Sequence, residues 1–291
     1  MTSLADLAAL TALEMSGDGA PTVRYAAHVG AEFTIGPKVH GGSLQLVVAV
    51  AARRALHDLA APDSDPALLD GVTALSVSSD YLAAPDPGGI ELAVRPVKRG
   101  RTVSVLQVDI LQRDRVMVSS SVTLGRLDDG DPLHRDTGTL GGLPAEPAAD
   151  ALALEGSVLE EVNHLGAVLD LSLDASSFPA ATGATGAPEV RGWTRPKQAD
   201  RQPPETAVDF PVLVCDISPP VVMNLGMFGW APTVQLTTYL RRRPAPGWLR
   251  FAASSTEVGR SMFAEDHLVL DSTGAVVAQS RQLALIPHPA R

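Results

Sequence analysis

Two stretches of this chain, residues 74–124 and 232–286, read as copies of one another, and no other feature of the sequence restricts its fold as much. Tyr81-Leu82, Pro87-Gly88, Gly100-Arg101 and Ile110-Leu111 recur as Tyr239-Leu240, Pro246-Gly247, Gly259-Arg260 and Val269-Leu270. The offset is 158 or 159 residues throughout (239 − 81, 246 − 87, 259 − 100, 269 − 110). A spacing held over this length marks an internal duplication. The chain is therefore expected to hold two similar units, residues 1–127 and 166–291, joined by a connecting segment, residues 128–165. With 291 residues in all, each unit is long enough to bury a core of its own.

Within the first unit, Leu4, Leu7, Leu10 and Leu13 stand three apart and predict a short packing helix over residues 3–15. Val23, Tyr25, Phe33 and Ile35 favour extended chain. After His40-Gly41-Gly42 comes a stretch from Ser43 to Leu56 that is apolar nearly all round, broken only by Gln45 before Arg53. A helix of that kind must be wrapped by other structure. Residues 72–81, 90–97, 102–111 and 116–127 supply four strand-like runs, with turn residues such as Pro85-Asp86-Pro87-Gly88 and Arg113-Asp114 between them, and so predict an antiparallel meander. The connecting segment is rich in Asp, Gly, Pro and Ala, with a helix expected near residues 150–162. The second unit repeats the order: a strand over residues 168–173, another at Glu189–Trp193, a helix opened by Pro203-Pro204 and running through Asp216, then four strands.

Composition narrows the function. A hydrophobic fraction of 45% and 19% charged residues belong to a globular chain. The formal net charge is −10 and the basic residues are scattered, so binding to nucleic acid is not expected. Arg241-Arg242-Arg243 reads either as a solvated strand end or as a local anion site. The single cysteine, Cys215, allows no intrachain disulfide and reads as a small core residue. No apolar run approaches the roughly 20 residues a membrane span needs. Asp6 and Glu14 interrupt the start where a secretory signal would be unbroken, so a cytoplasmic location without membrane insertion is expected.

A central helix held by an antiparallel sheet, twice over, resembles the double hotdog, an α+β fold. Gly41-Gly42 before the apolar helix, the Lys98-Arg99-Gly100-Arg101-Thr102-Val103-Ser104 turn, and the closing Val277-Ala278-Gln279-Ser280-Arg281-Gln282 resemble the TesB-like acyl-CoA thioesterase II family. The resemblance implies hydrolysis of an acyl-CoA by an activated water, without a covalent intermediate, cofactor or metal. It also implies a homo-oligomer, a dimer of double hotdogs.

Matched residue by residue, the family's catalytic trio falls on Asp216, Thr233 and Gln282. The family often carries an acidic residue two positions after the Thr, where this chain has Gln235. The chemistry suits the residue types. A thioester carbonyl is already electrophilic, so hydrolysis needs a placed water, an acceptor for its proton and donors for the oxyanion. Asp216 supplies the acceptor, and the hydroxyl of Thr233 and amide of Gln282 supply placement. Strand alternation predicts Thr233, Gln235 and Thr237 on one face, and Gln282 on a face with Ala278, Ser280 and Ala284. Helical spacing predicts Asp216 on a face with Asp209, Val212 and Leu213. The duplication pairs Thr233 with Leu75 and Gln282 with Val122, apolar residues that suggest the chemistry belongs to the second unit alone.

For substrate binding the candidates are His40, Gly41, Gly42 and Gln235. Gly41 and Gly42 open a buried helix, where free N–H donors collect and a carbonyl can approach; close helix packing explains them equally well. His40 reads as a structural or substrate-lining residue. Enoyl-CoA hydration would call for an Asp-x-Asn-Pro-x-His segment that the chain lacks. A non-catalytic acyl-CoA or lipid binder is the contrasting expectation.

Overall fold

The protein is described from a computed structural model covering residues 3–13, 21–60, 66–199 and 202–287. Its first half has a strand at Val23–Val29, the buried helix Gly41–Asp58, and four antiparallel strands at Val72–Tyr81, Gly88–Lys98, Ser104–Gln112 and Arg115–Arg126; the expected meander is corrected to the last three, because Val72–Tyr81 pairs with Arg115–Arg126 and not with Gly88–Lys98. The second half repeats this with strands at Leu169–Leu173 and Glu189–Pro196, the helix Pro204–Val214, and strands at Thr233–Leu240, Leu249–Ser254, Met262–Leu270 and Val276–Leu285.

All of these strands belong to one 13-stranded sheet. The halves join where Val72–Tyr81 runs antiparallel to Thr233–Leu240, with Ser78 opposite Thr237. Those two residues, 159 positions apart, hydrogen-bond through their hydroxyls at 2.8 Å. The pseudo-twofold of the duplication thus passes between them: on either side the strand order is mirrored outward. The apolar helix Gly41–Asp58 lies in the concavity, with Leu44, Leu46, Val47, Val48, Ala51 and Ala55 all buried. Gln45, buried within it, is fully satisfied at the junction. Its amide donates to Ser79 Oγ and Leu236 O and accepts from Thr238 Oγ1, tying the helix to both halves.

Several expectations are corrected. The leading helix spans only Leu4–Leu7 and is followed by a two-residue strand, Thr11–Ala12; its expected last residues, Glu14 and Met15, lie outside the described ones. No helix forms near residues 150–162; Leu152–Ala153 instead pairs with Leu169–Leu173. Leu154, Val158 and Val162 do stand four apart, but Gly156 between them takes a positive φ of 77° that a helix cannot contain, and Val158 and Val162 are left exposed. The second central helix stops at Val214, so Asp216 lies just past its end rather than on a face with Asp209. Pro211 inside that helix cannot donate, and Pro219-Pro220 follows closely. Among the described residues no helix is long and apolar enough to cross a membrane.

Candidate active site

The two central helices lie side by side and antiparallel, so that the end of the second stands beside the start of the first. Asp216, after the second helix, reaches the first turn of the first, and its Oδ2 accepts the Gly42 N–H at 2.8 Å. A carboxylate there faces the positive end of the helix dipole. His40 caps the same turn: Nδ1 accepts from the Ser43 N–H at 3.2 Å, and Nε2 donates to the Asp216 carbonyl at 2.7 Å and lies 3.4 Å from its carboxylate. These partners assign the Nε2–H tautomer. Tyr81 donates its hydroxyl to Gly41 O at 2.9 Å. Burial pushes the Asp216 carboxyl above its ordinary value, against the opposing pull of His40 and the Gly42 N–H. Burial, and then the Asp216 charge, hold the Tyr81 phenol protonated well beyond its ordinary range.

The glycines are there for space. A Cβ on Gly42 would stand 2.5 Å from Leu213 O and 2.9 Å from Asp216 Cβ, and one on Gly41 would stand 2.8 Å from Asp216 Oδ2. Gly42→Ala is expected to push the helix ends apart and destabilise the fold by about 1–3 kcal/mol, the usual cost of overpacking. Thermal unfolding checks this against Gly89→Ala, where nothing lies within 4 Å of the added methyl; equal melting temperatures would refute it.

The other two trio members meet on the sheet. Thr233 Oγ1 donates to Gln282 Oε1 at 2.9 Å. A register shift between Thr233 and Gln235 makes this contact. The bulge leaves Thr233 opposite Ala284 and Leu236 opposite Gln282, so Thr233 and Leu236 look inward while Gln235 is exposed and donates to Asp80 Oδ1. The expected shared face of Thr233 and Gln235 is therefore not formed: alternation breaks where the strand gains a residue. A matching shift between Ala74 and Ser76 in the first half makes Ala74, not Leu75, the counterpart of Thr233. Gln282 corresponds in register to Val122 and sits inward with Ala278, Ser280 and Ala284.

Between Asp216 and Gln282 lies a group that the sequence reading missed. Glu265 is 1% exposed. Its Oε1 accepts from Gln282 Nε2 at 3.1 Å and from Ser218 Oγ at 3.2 Å, and its Oε2 accepts from the Val221 N–H at 3.0 Å. Ser218 Oγ also contacts His267 Nε2 at 3.0 Å. Burial pushes Glu265 up to about 7, with the Asp216 charge adding to it and the three donors opposing it. Burial pushes His267 down to about 3, which keeps it neutral. Period-two alternation with Phe263 and Val269 places Glu265 and His267 on the inner face, where the first half has Leu106 and Val108. The duplication alone held that signal.

Cys215 stands as expected, and the arginine run is placed as well. Cys215 is buried, and burial pushes its thiol up to about 12, so it is no thiolate at neutral pH. Arg241 and Arg243 are exposed beyond the strand end, and Arg242 and Arg243 share a hollow with Asp128 and Asp129, so that acidic groups offset their charge. Among the described residues no cluster of three or more His, Cys, Asp or Glu side chains is placed to hold a metal ion.

Known proteins resemble this chain in family and in fold. The acyl-CoA thioesterase N-terminal domain matches residues 30–125, and the acyl-CoA thioesterase C-terminal domain matches residues 142–286. An uncharacterized protein of Mycobacterium tuberculosis is 37% identical over 287 residues, covering 94% of each chain. Among solved structures, a provisionally assigned thioesterase II from Thermobifida fusca superposes with a TM-score of 0.76 at 26% identity, over 99% of this chain and 98% of that one. A hotdog-fold protein from Alicyclobacillus acidocaldarius gives 0.71 at 18% identity, over 99% and 98%. The acyl-CoA thioesterase II of Mycobacterium marinum gives 0.69 at 18% identity, over 99% of each chain. The fold is the double hotdog.

Proposed function

From the premise that this chain belongs to the acyl-CoA thioesterase family, we propose that it hydrolyses acyl-CoA thioesters with a water held by Asp216, Thr233 and Gln282. One observation carries the reading: a connected path runs Thr233 to Gln282 to Glu265 to Ser218, two residues from Asp216. Residues far apart in sequence thus converge inside the second half, beside the first turn of the first-half helix.

In the proposed reaction the water gives its proton to Asp216 and its oxygen attacks the thioester carbonyl carbon. Thr233 spends its own proton on Gln282 Oε1, so its oxygen lone pairs are free to accept from that water, and the second N–H of Gln282 is free to donate to it. Because Gly42 N–H is already bonded to Asp216, the oxyanion is left to the Gly41 N–H and the helix dipole behind it. Collapse breaks the C–S bond, and the proton on Asp216 returns to the departing CoA thiolate. Placement of this kind contributes on the order of 7 kcal/mol in favourable cases. His40 and Tyr81 shape the turn that carries Gly41 and Gly42, and acyl-CoA is the partner implied.

The test is thiol release from a panel of acyl-CoAs, short to long, followed with a thiol-reactive dye. Turnover of at least one is expected. Tight binding of acyl-CoA by calorimetry without release of thiol from any of them would overturn hydrolysis in favour of a binding role.

A further inference from the structure

Gln282 can act on a water only if its amide is turned the right way, since a carboxamide rotated by half a turn exchanges donor and acceptor. Two neighbours determine the turn. On one side is Thr233, whose hydroxyl can donate or accept and so imposes nothing. On the other is the Glu265 carboxyl, already receiving the Val221 N–H and the Ser218 hydroxyl. In the ionised carboxylate that oxygen only accepts, which requires the amide nitrogen and leaves the amide oxygen to face Thr233 and take the threonine proton.

We propose that Glu265 is the positioning residue of the site: its carboxylate fixes the orientation of the Gln282 amide, and through it the direction of the Thr233 hydroxyl. This deepens the thioesterase reading and rests on it only where catalysis is measured. The register supports a dedicated pair. Glu265 stands opposite Gln282, and at the matching place in the first half Leu106 stands opposite Val122, so the carboxylate and the amide occur together or not at all. Buried carboxylates are costly without such service, and the first half shows that this position folds with leucine.

Glu265→Gln reverses the arrangement without changing size. With its new oxygen retained by the Val221 N–H, its nitrogen faces Gln282 and turns that amide over. Two readouts follow. In the protein labelled with 15N-glutamine, the Gln282 side-chain amide signal, assigned by its loss in Gln282→Ala, is expected to shift in Glu265→Gln; an unmoved signal overturns the proposal. With the best acyl-CoA substrate, Glu265→Gln is expected to lower kcat about tenfold or more, with KM within about twofold. In a Gln282→Ala background the same change is expected to cost less than about twofold, because the group it acts through is gone. Full additivity of the two losses overturns the proposal. Should Glu265→Gln fail to fold, Glu265→Asp keeps the charge, withdraws it by one methylene and gives the same two readouts. A wild-type protein that turns over no acyl-CoA would sink the thioesterase reading while leaving the amide measurement decisive for Glu265.

Discussion

Asp216→Asn is expected to lower kcat for thioester hydrolysis by roughly 10²–10⁴-fold, the range a positioned acid–base group contributes. Asparagine keeps an oxygen for the Gly42 N–H, at 2.8 Å in the native protein, and keeps the volume, so the helix ends stay together and KM is expected to change little. What it loses is the ability to take a proton from water. The pH dependence gives a second signature. Burial raises the Asp216 carboxyl above its ordinary value, and the ionised form is the base, so activity falls as pH falls, with a midpoint above that of an exposed aspartate. That acid limb is expected to disappear in whatever activity Asp216→Asn retains. Single-turnover rates across the pH range decide it: a variant retaining more than a tenth of the native rate would remove Asp216 from the chemistry.

Arg53→Met is expected to be the most destabilising substitution considered, at about 3–5 kcal/mol, as when one partner of a buried ion pair is removed. Arg53 Nη1 lies 2.6 Å from Asp209 Oδ2, and the Asp209 side chain has no exposure. Thr73 adds only a long 3.4 Å bond to the other oxygen. This pair pins the middle of the second helix to the C-terminal half of the first, and so sets the approach of their other ends at Gly42 and Asp216. The sign of its pH dependence follows from the shift. Burial pushes Asp209 up to about 6 despite Arg53, so the folded protein holds this proton more tightly than the unfolded chain. Its stability contribution is present in acid, below the ordinary carboxylate value, and is lost as pH rises through about 6. Without Arg53 the folded carboxyl rises further, so the gap in melting temperature between native protein and variant is expected to narrow as pH drops from 8 towards 5. A gap that widened in acid would show that Asp209 is not the group left uncompensated.

Much of the fold was legible because it rests on local periods. The uniformly apolar run after Gly42 demanded wrapping, and three of the four strands that follow it form the expected meander, the first pairing with the last instead; Arg113 and Asp114 both take positive φ in the tight turn expected there. The linker helix failed because the spacing of Leu154, Val158 and Val162 does not reveal that Gly156 takes a positive φ between them, and Leu140 and Leu143 gain meaning only by packing on Trp193.

The sequence by itself determined that the chain is a duplication, that each copy wraps a helix, and that Thr233 and Gln282 stand where the copies differ. These follow from composition, period and offset, which one dimension can hold. Tertiary structure alone decided how the two sheets fuse at Ser78 and Thr237, on which face Thr233 lies, and what surrounds Gln282. A bulge moves every later side chain to the other face without any change in residue type. A buried carboxylate is recognisable as a neighbour of an amide only once pairing between distant strands has placed them opposite each other.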